Sequence, residues 1–195
     1  MIWESWPWKQ ELLAHANALE NLLSAYSDEL SEEEYYSTEF NLEKAIFYSA
    51  FIVRKLIENR KLTDDCSKQK VVVQVFLSKD TKPTIRNSSG VEMAVDFETT
   101  SSNLIELPIS KLMSEIIHSF LLEWGMNSDD ILQTIFISSY NNQKRRSIGL
   151  KFQDFLAVIR SVGNDEVSSS SFYLNPERLV KSPPNCSNIK SGLGI

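Results

Sequence analysis

Asn41 to Leu62 reads NLEKAIFYSAFIVRKLIENRKL, and how this run is read decides the fold. On a helix, Leu42, Ile46, Ala50, Val53, Leu56 and Ile57 share one broad apolar stripe. Phe47 and Phe51, one turn apart, fall nearly opposite it. From Ala45 to Val53 only Tyr48 and Ser49 carry a polar group. A helix apolar all round needs cover on both sides. The apolar run is far shorter than the roughly 20 residues of a bilayer span, so the expected cover is protein. The run is read as the core helix of a soluble domain.

Upstream, Ser31 followed by Glu34 matches the S-x-x-E capping box. The core helix can therefore begin near Glu32 and extend to about Lys61. Glu32, Glu33 and Glu34 sit favourably at the positive end of its dipole, which explains them without a metal. Trp3, Trp6 and Trp8 surround Pro7, a residue suited to the first turn of a helix. The preceding helix would bury Trp8, Leu12, Leu13, Ala16, Leu19, Leu22, Leu23 and Tyr26. A short link at Ser27 to Leu30 would fold the two helices into an antiparallel hairpin. Two readings of the tryptophans stand: they staple the N-terminus to the core, or they present an aromatic surface to a partner.

Downstream, Thr63 to Lys70 reads as polar linker. Val71 to Leu77, VVVQVFL, is β-branched and almost continuously apolar, as expected of a central strand. Val91 to Glu98 alternates like a strand with one buried face, and Thr99 to Asn103 reads as a loop. Pro108 opens a third helix whose apolar spacing runs from Ile109 through Trp124 to a stop at Gly125. Ile131 to Ser139 and Ile148 to Phe152 read as strands around a turn at Tyr140 to Arg145. A short helix over Phe155 to Gly163 follows, with an edge strand at Phe172 to Leu174. The expected fold is α+β: an N-terminal helical hairpin, a largely antiparallel sheet of four to five strands and two further helices. One domain spans residues 1–180, followed by a flexible tail over 181–195.

With 195 residues and a net charge of −6, the chain is large enough for a real core and is no general polyanion binder. Cys66 and Cys186 read as free thiols of a reducing compartment, and the expected location is the cytoplasm. The chain shows no metal-ligand spacing, P-loop, dinucleotide fingerprint or nucleophile elbow. No cofactor and no metal are therefore assigned. Lys144, Arg145 and Arg146 form a weak nucleic-acid signal that a solvated turn also explains.

Candidate chemistry narrows to three residues. His118 falls opposite the apolar stripe of the third helix, beside an exposed Leu122 at i+4. It reads as a plain surface histidine or as a general acid or base. Arg54 and Lys55 read as the rim of the core helix, matched by Glu58, or as ligands of a phosphate or carboxylate.

Three strings, W-E-S-W-P-W-K at Trp3 to Lys9, I-V-R-K-L-I-E at Ile52 to Glu58 and I-I-H-S-F at Ile116 to Phe120, resemble a family of small bacterial proteins of uncharacterised activity. The resemblance covers roughly residues 1–162. It implies a bacterial cytosolic setting in mobile genetic islands and a role in defence or stress, with no substrate or cofactor. It singles out Trp3, Glu4, Pro7, Trp8, Arg54, Lys55 and His118. The functional expectation is a non-enzymatic protein-interaction module whose partner surface includes Trp3, Trp6, Trp8 and Leu122. The alternative is a small hydrolase or nuclease using His118 with Arg54 and Lys55. It requires the outer face of the third helix to meet the C-terminal half of the core helix, and the helical wheel speaks against it by pointing His118 away from the stripe that packs on the core.

Overall fold

The capping box forms. Ser31 Oγ accepts the Glu34 N–H, and Glu34 Oε2 accepts the Ser31 N–H at 3.0 Å. From there α2 (Glu32–Glu58) runs without interruption. Beyond it, Lys61 N–H bonds to Leu56 O and Arg60 N–H to Ile57 O, with Arg60 left-handed at φ 56°. That pattern is the Schellman stop. In this computed structural model the described residues are 4–25, 30–78, 97–126, 132–139, 146–167, 169–171, 174–175, 180–181 and 185–187.

Helix α1 (Trp6–Ala25) pairs with α2 as the hairpin, with Leu12, Ala16 and Leu19 fully buried. The short helix α3 (Asp64–Ser67) then occupies the stretch read as linker. It is capped by buried Thr63, whose Oγ1 accepts the Cys66 N–H at 3.3 Å. Asp64 and Asp65 form its first turn, at the positive end of the short helix.

The sheet is built from β1 (Lys70–Ser78), β2 (Phe97–Pro108), β3 (Ser119–Met126), β4 (Leu132–Ser139) and β5 (Arg146–Lys151) in the order β2-β1-β5-β4-β3, every pairing antiparallel. The α+β expectation holds. Helix α4 (Ile109–Ile117) crosses from one edge strand to the other, and α5 (Phe152–Gly163) follows β5. Both rest on the sheet; α2 lies on α4 and α1 on α5. The result is three layers: sheet, inner helices, outer helices. Val71, Val73, Val75, Ile135, Ile137, Ile148 and Leu150 line the helix-facing side of the sheet, all buried.

Several sequence expectations change. The third helix stops at His118, and Ser119 to Met126 becomes edge strand β3 instead of more helix. Trp124 fits the apolar side of either element, whereas Leu122 joins it only in a strand, where i and i+2 share a face; pairing with β4 decides for the strand. Gly125 is no helix stop. A Cβ there would meet the Phe136 ring at 2.7 Å, so the glycine makes room for a cross-strand aromatic. Thr99 to Asn103, read as loop, lies inside β2. Strand β1 is interior, but its face away from the helices is buried only in part: Phe76 is covered there and Val72 is exposed. The expected strand residues Val91 to Asp96 and the turn at Tyr140 to Arg145 lie outside the described residues.

Beyond α5, two short ladders pair β6 (Ser169–Ser171) with β9 (Asn185–Ser187) and β7 (Leu174–Asn175) with β8 (Val180–Lys181). Strand β9 and Lys181 fall within the stretch read as tail. Phe172 and Tyr173 lie outside the described residues.

Two polar ties fix the outer helices. The Trp124 indole N–H donates to the Glu39 carboxylate at 2.7 and 2.8 Å, joining α2 to β3. At the opposite end, Lys9 and Asp165 form an ion pair at 3.5 Å, with side chains 7% and 5% exposed. Lys9 Nζ also donates to the Asp165 carbonyl. The Asp165 carboxylate accepts Thr63 N–H at 2.9 Å and Thr63 Oγ1–H at 2.5 Å. This cluster binds α1, the α2–α3 junction and the end of α5 together.

Candidate functional site on the outer helix

One turn of helix places Arg54 and Lys55 beside Glu58, and Glu58 takes both. Arg54 Nε donates to Oε1 at 2.8 Å and Lys55 Nζ to Oε2 at 2.7 Å. The hydrogen bond from Lys55, then that from Arg54, holds the Glu58 carboxyl below the usual range. Lys55 Nζ also lies 5.7 Å from the centre of the Phe51 ring.

His118 joins this group. Because α4 ends there, the residue is the helix C-cap, its N–H bonded to Ser114 O. Its ring reaches α2, with Nε2 3.3 Å from Arg54 Nη1. Arginine has no acceptor, so in a hydrogen bond here Arg54 donates and Nε2 accepts, which requires the tautomer that carries its proton on Nδ1. His118 does lie opposite the stripe that packs on the sheet, but α2 lies on that side of α4, so the ring meets Arg54. Arg54 and His118 thus converge, with Lys55 joined through Glu58. The chemistry is constrained, though: the Nε2 lone pair is already engaged, and the carboxylate offsets one of two positive charges.

The tryptophans divide. Trp6 and Trp8 are both exposed, at 68% and 39%, so Trp8 leaves the buried stripe predicted for it. Lys9 is the buried residue of that turn. Trp6 instead borders a cleft with Ser5, Lys9, Gln10, Asn164, Asp165 and Glu166. Trp3 lies outside the described residues. Leu122 is partly buried against the core on β3, so it is no exposed neighbour of His118. His15 stacks on Tyr48 with ring centres 6.0 Å apart, which fixes the hairpin register. Burial first of all lowers the His15 pKa.

The larger feature is the outer side of α2. Taking 100° per residue, Tyr36, Phe40, Phe47 and Phe51 lie in one row opposite the buried stripe, and Arg54 and Glu58 continue it. Tyr36 is 64% exposed, Phe40 62% and Phe51 44%, whereas Phe47 packs partly on the core. Cover on both sides of the helix was expected. Among the described residues the inner side is covered and this row is not. Phe47 and Phe51 were legible as the second face; Tyr36 and Phe40 were missed, although their i, i+4, i+11, i+15 spacing extends it.

Among the described residues no three His, Cys, Asp or Glu side chains are grouped to hold a metal ion, and no helix is long and apolar enough to cross a membrane. The chain matches no family model, no curated protein and no solved structure. The family resemblance therefore rests on its three short strings alone.

Proposed function

We propose that this chain is a non-enzymatic protein-interaction module whose docking face is the outer side of α2. The observation that carries it is the aromatic row Tyr36, Phe40 and Phe51, which the described residues leave exposed. Solvent-facing helix positions are normally polar, and burying one such ring fully is worth about 2 kcal/mol. Exposed Trp6 and Trp8 supply a second aromatic pair on the neighbouring helix. The setting implied by the resemblance, a multi-protein bacterial system of defence or stress in the cytosol, belongs to the same proposal. Tagged wild type and Phe40→Glu, each expressed in the host, test it. A stoichiometric partner retained by wild type should be lost by the variant, and the purified pair should show the same loss in calorimetry. Equal retention by both proteins would refute the assignment of this face.

The 3.3 Å contact of Arg54 with His118 favours a second reading, phosphoester hydrolysis by a small hydrolase or nuclease. A phosphate bridging His118 and the two cations would need Nε2 released from Arg54. On this reading His118→Ala abolishes cleavage of RNA or DNA and leaves the melting temperature unchanged. Equal cleavage by the variant ends it.

A further inference from the structure

We infer that the occupant of the α2 face is a second copy of this chain, with the two α2 helices packed antiparallel about a two-fold axis near Glu43 and Lys44. The inference rests on reading the outer side of α2 as a docking face. What selects the partner is the arrangement of charge along the row. Its N-terminal end carries Glu32, Glu33 and Glu34, and its C-terminal end carries Arg54 and Lys55 against one Glu58. A helix acidic at one end and net basic at the other complements itself when reversed.

The register follows from pairing the ends. Glu32 meets Arg54 of the second copy on one flank, and Glu33 meets its Lys55 on the other. The same register stacks Tyr36 on Phe51 and Phe40 on Phe47, each layer occurring twice by symmetry. On this geometry Glu43 meets its own counterpart on one flank of the axis and Lys44 meets its own on the other, two like-charge contacts at exposed positions. Each costs only a few tenths of a kcal/mol, together less than the four aromatic layers and four end pairs contribute. A parallel arrangement would set acid against acid at one end and cation against cation at the other. The paired face spans about 35 Å of helix, and a single helix–helix contact of that length buries on the order of 1,000 Å², at the low end for a specific interface. The expected dimer is therefore micromolar and salt-sensitive.

Sedimentation equilibrium from about 1 to 200 μM, in low and high salt, decides the matter. Wild type should pass from monomer to dimer across that range, with weaker association in high salt. Phe40→Glu should weaken dimerisation by about tenfold or more; Phe40 is exposed, so its far-UV circular dichroism should match wild type, and Tyr36→Lys provides an independent variant. Glu43→Gln should tighten the dimer, because it removes one of the two like-charge contacts that only this register creates. Wild type that stays monomeric at 200 μM overturns the inference, as does a dimer unaffected by both aromatic variants or weakened by Glu43→Gln. If wild type is monomeric but Phe40→Glu still loses a heterologous partner, the docking face stands and the second copy falls. If Phe40→Glu changes neither, both fall.

Discussion

Asp165→Ala tests the polar cluster that locks the three ends together. The carboxylate accepts two hydrogen bonds from Thr63 and faces the ammonium of Lys9 at 3.5 Å, with both charged side chains more than nine-tenths buried. Removing the carboxylate leaves a buried ammonium with, among the described residues, the Asp165 carbonyl as its acceptor, and takes the acceptor from the Thr63 N–H and hydroxyl. Breaking a buried pair from one side costs about 3–5 kcal/mol. For a chain of this length each kcal/mol lowers the melting temperature by about 2–4 °C, so a drop of roughly 10 °C is expected. Lys9→Met should cost less, about 1–3 kcal/mol, because Asp165 keeps both bonds from Thr63. The double variant should cost clearly less than the sum, since neither charge is then stranded. Urea and thermal unfolding of the four proteins complete the cycle. An Asp165→Ala loss below about 1 kcal/mol, or additive single losses, would show that the pair behaves like a surface ion pair and would refute the argument.

Ser31→Ala removes the capping box of α2 and should cost about 1 kcal/mol, read as a small fall in melting temperature without loss of helical signal at low temperature; an unchanged transition would contradict the cap's role. Cys66 gives a pH prediction. Burial, reinforced by the Asp165 charge, raises its thiol to about 11. The unfolded thiol ionises near 9, so the fold binds the proton more tightly between these values. The stability this thiol contributes is complete below pH 9 and is lost as pH rises towards 11. Cys66→Ala should flatten that part of the alkaline limb, and parallel curves for the two proteins would rule out the assignment.

The sequence by itself determined what local chemistry controls. Ser31 with Glu34 marks the start of α2, and the stripe from Leu42 to Leu56 marks the side that must be buried, because capping and helical period depend only on neighbours in the chain. Alternation and β-branching marked β1, β4 and β5 for the same reason. The segment Ile109 to Gly125 was not decidable in this way. Its apolar residues other than Leu122 keep helical spacing throughout, and the register with β4, set by residues that follow it, converts Ser119 to Met126 into a strand. That one conversion ends α4 at His118, and the packing of α2 on α4 brings Arg54 to its ring. The exposure of Phe40 and Phe51 was equally beyond the sequence. A wheel shows that a helix has two apolar sides, but which side receives a neighbour depends on how the layers stack. Here α4 covers one side of α2, and the described residues leave the other to solvent.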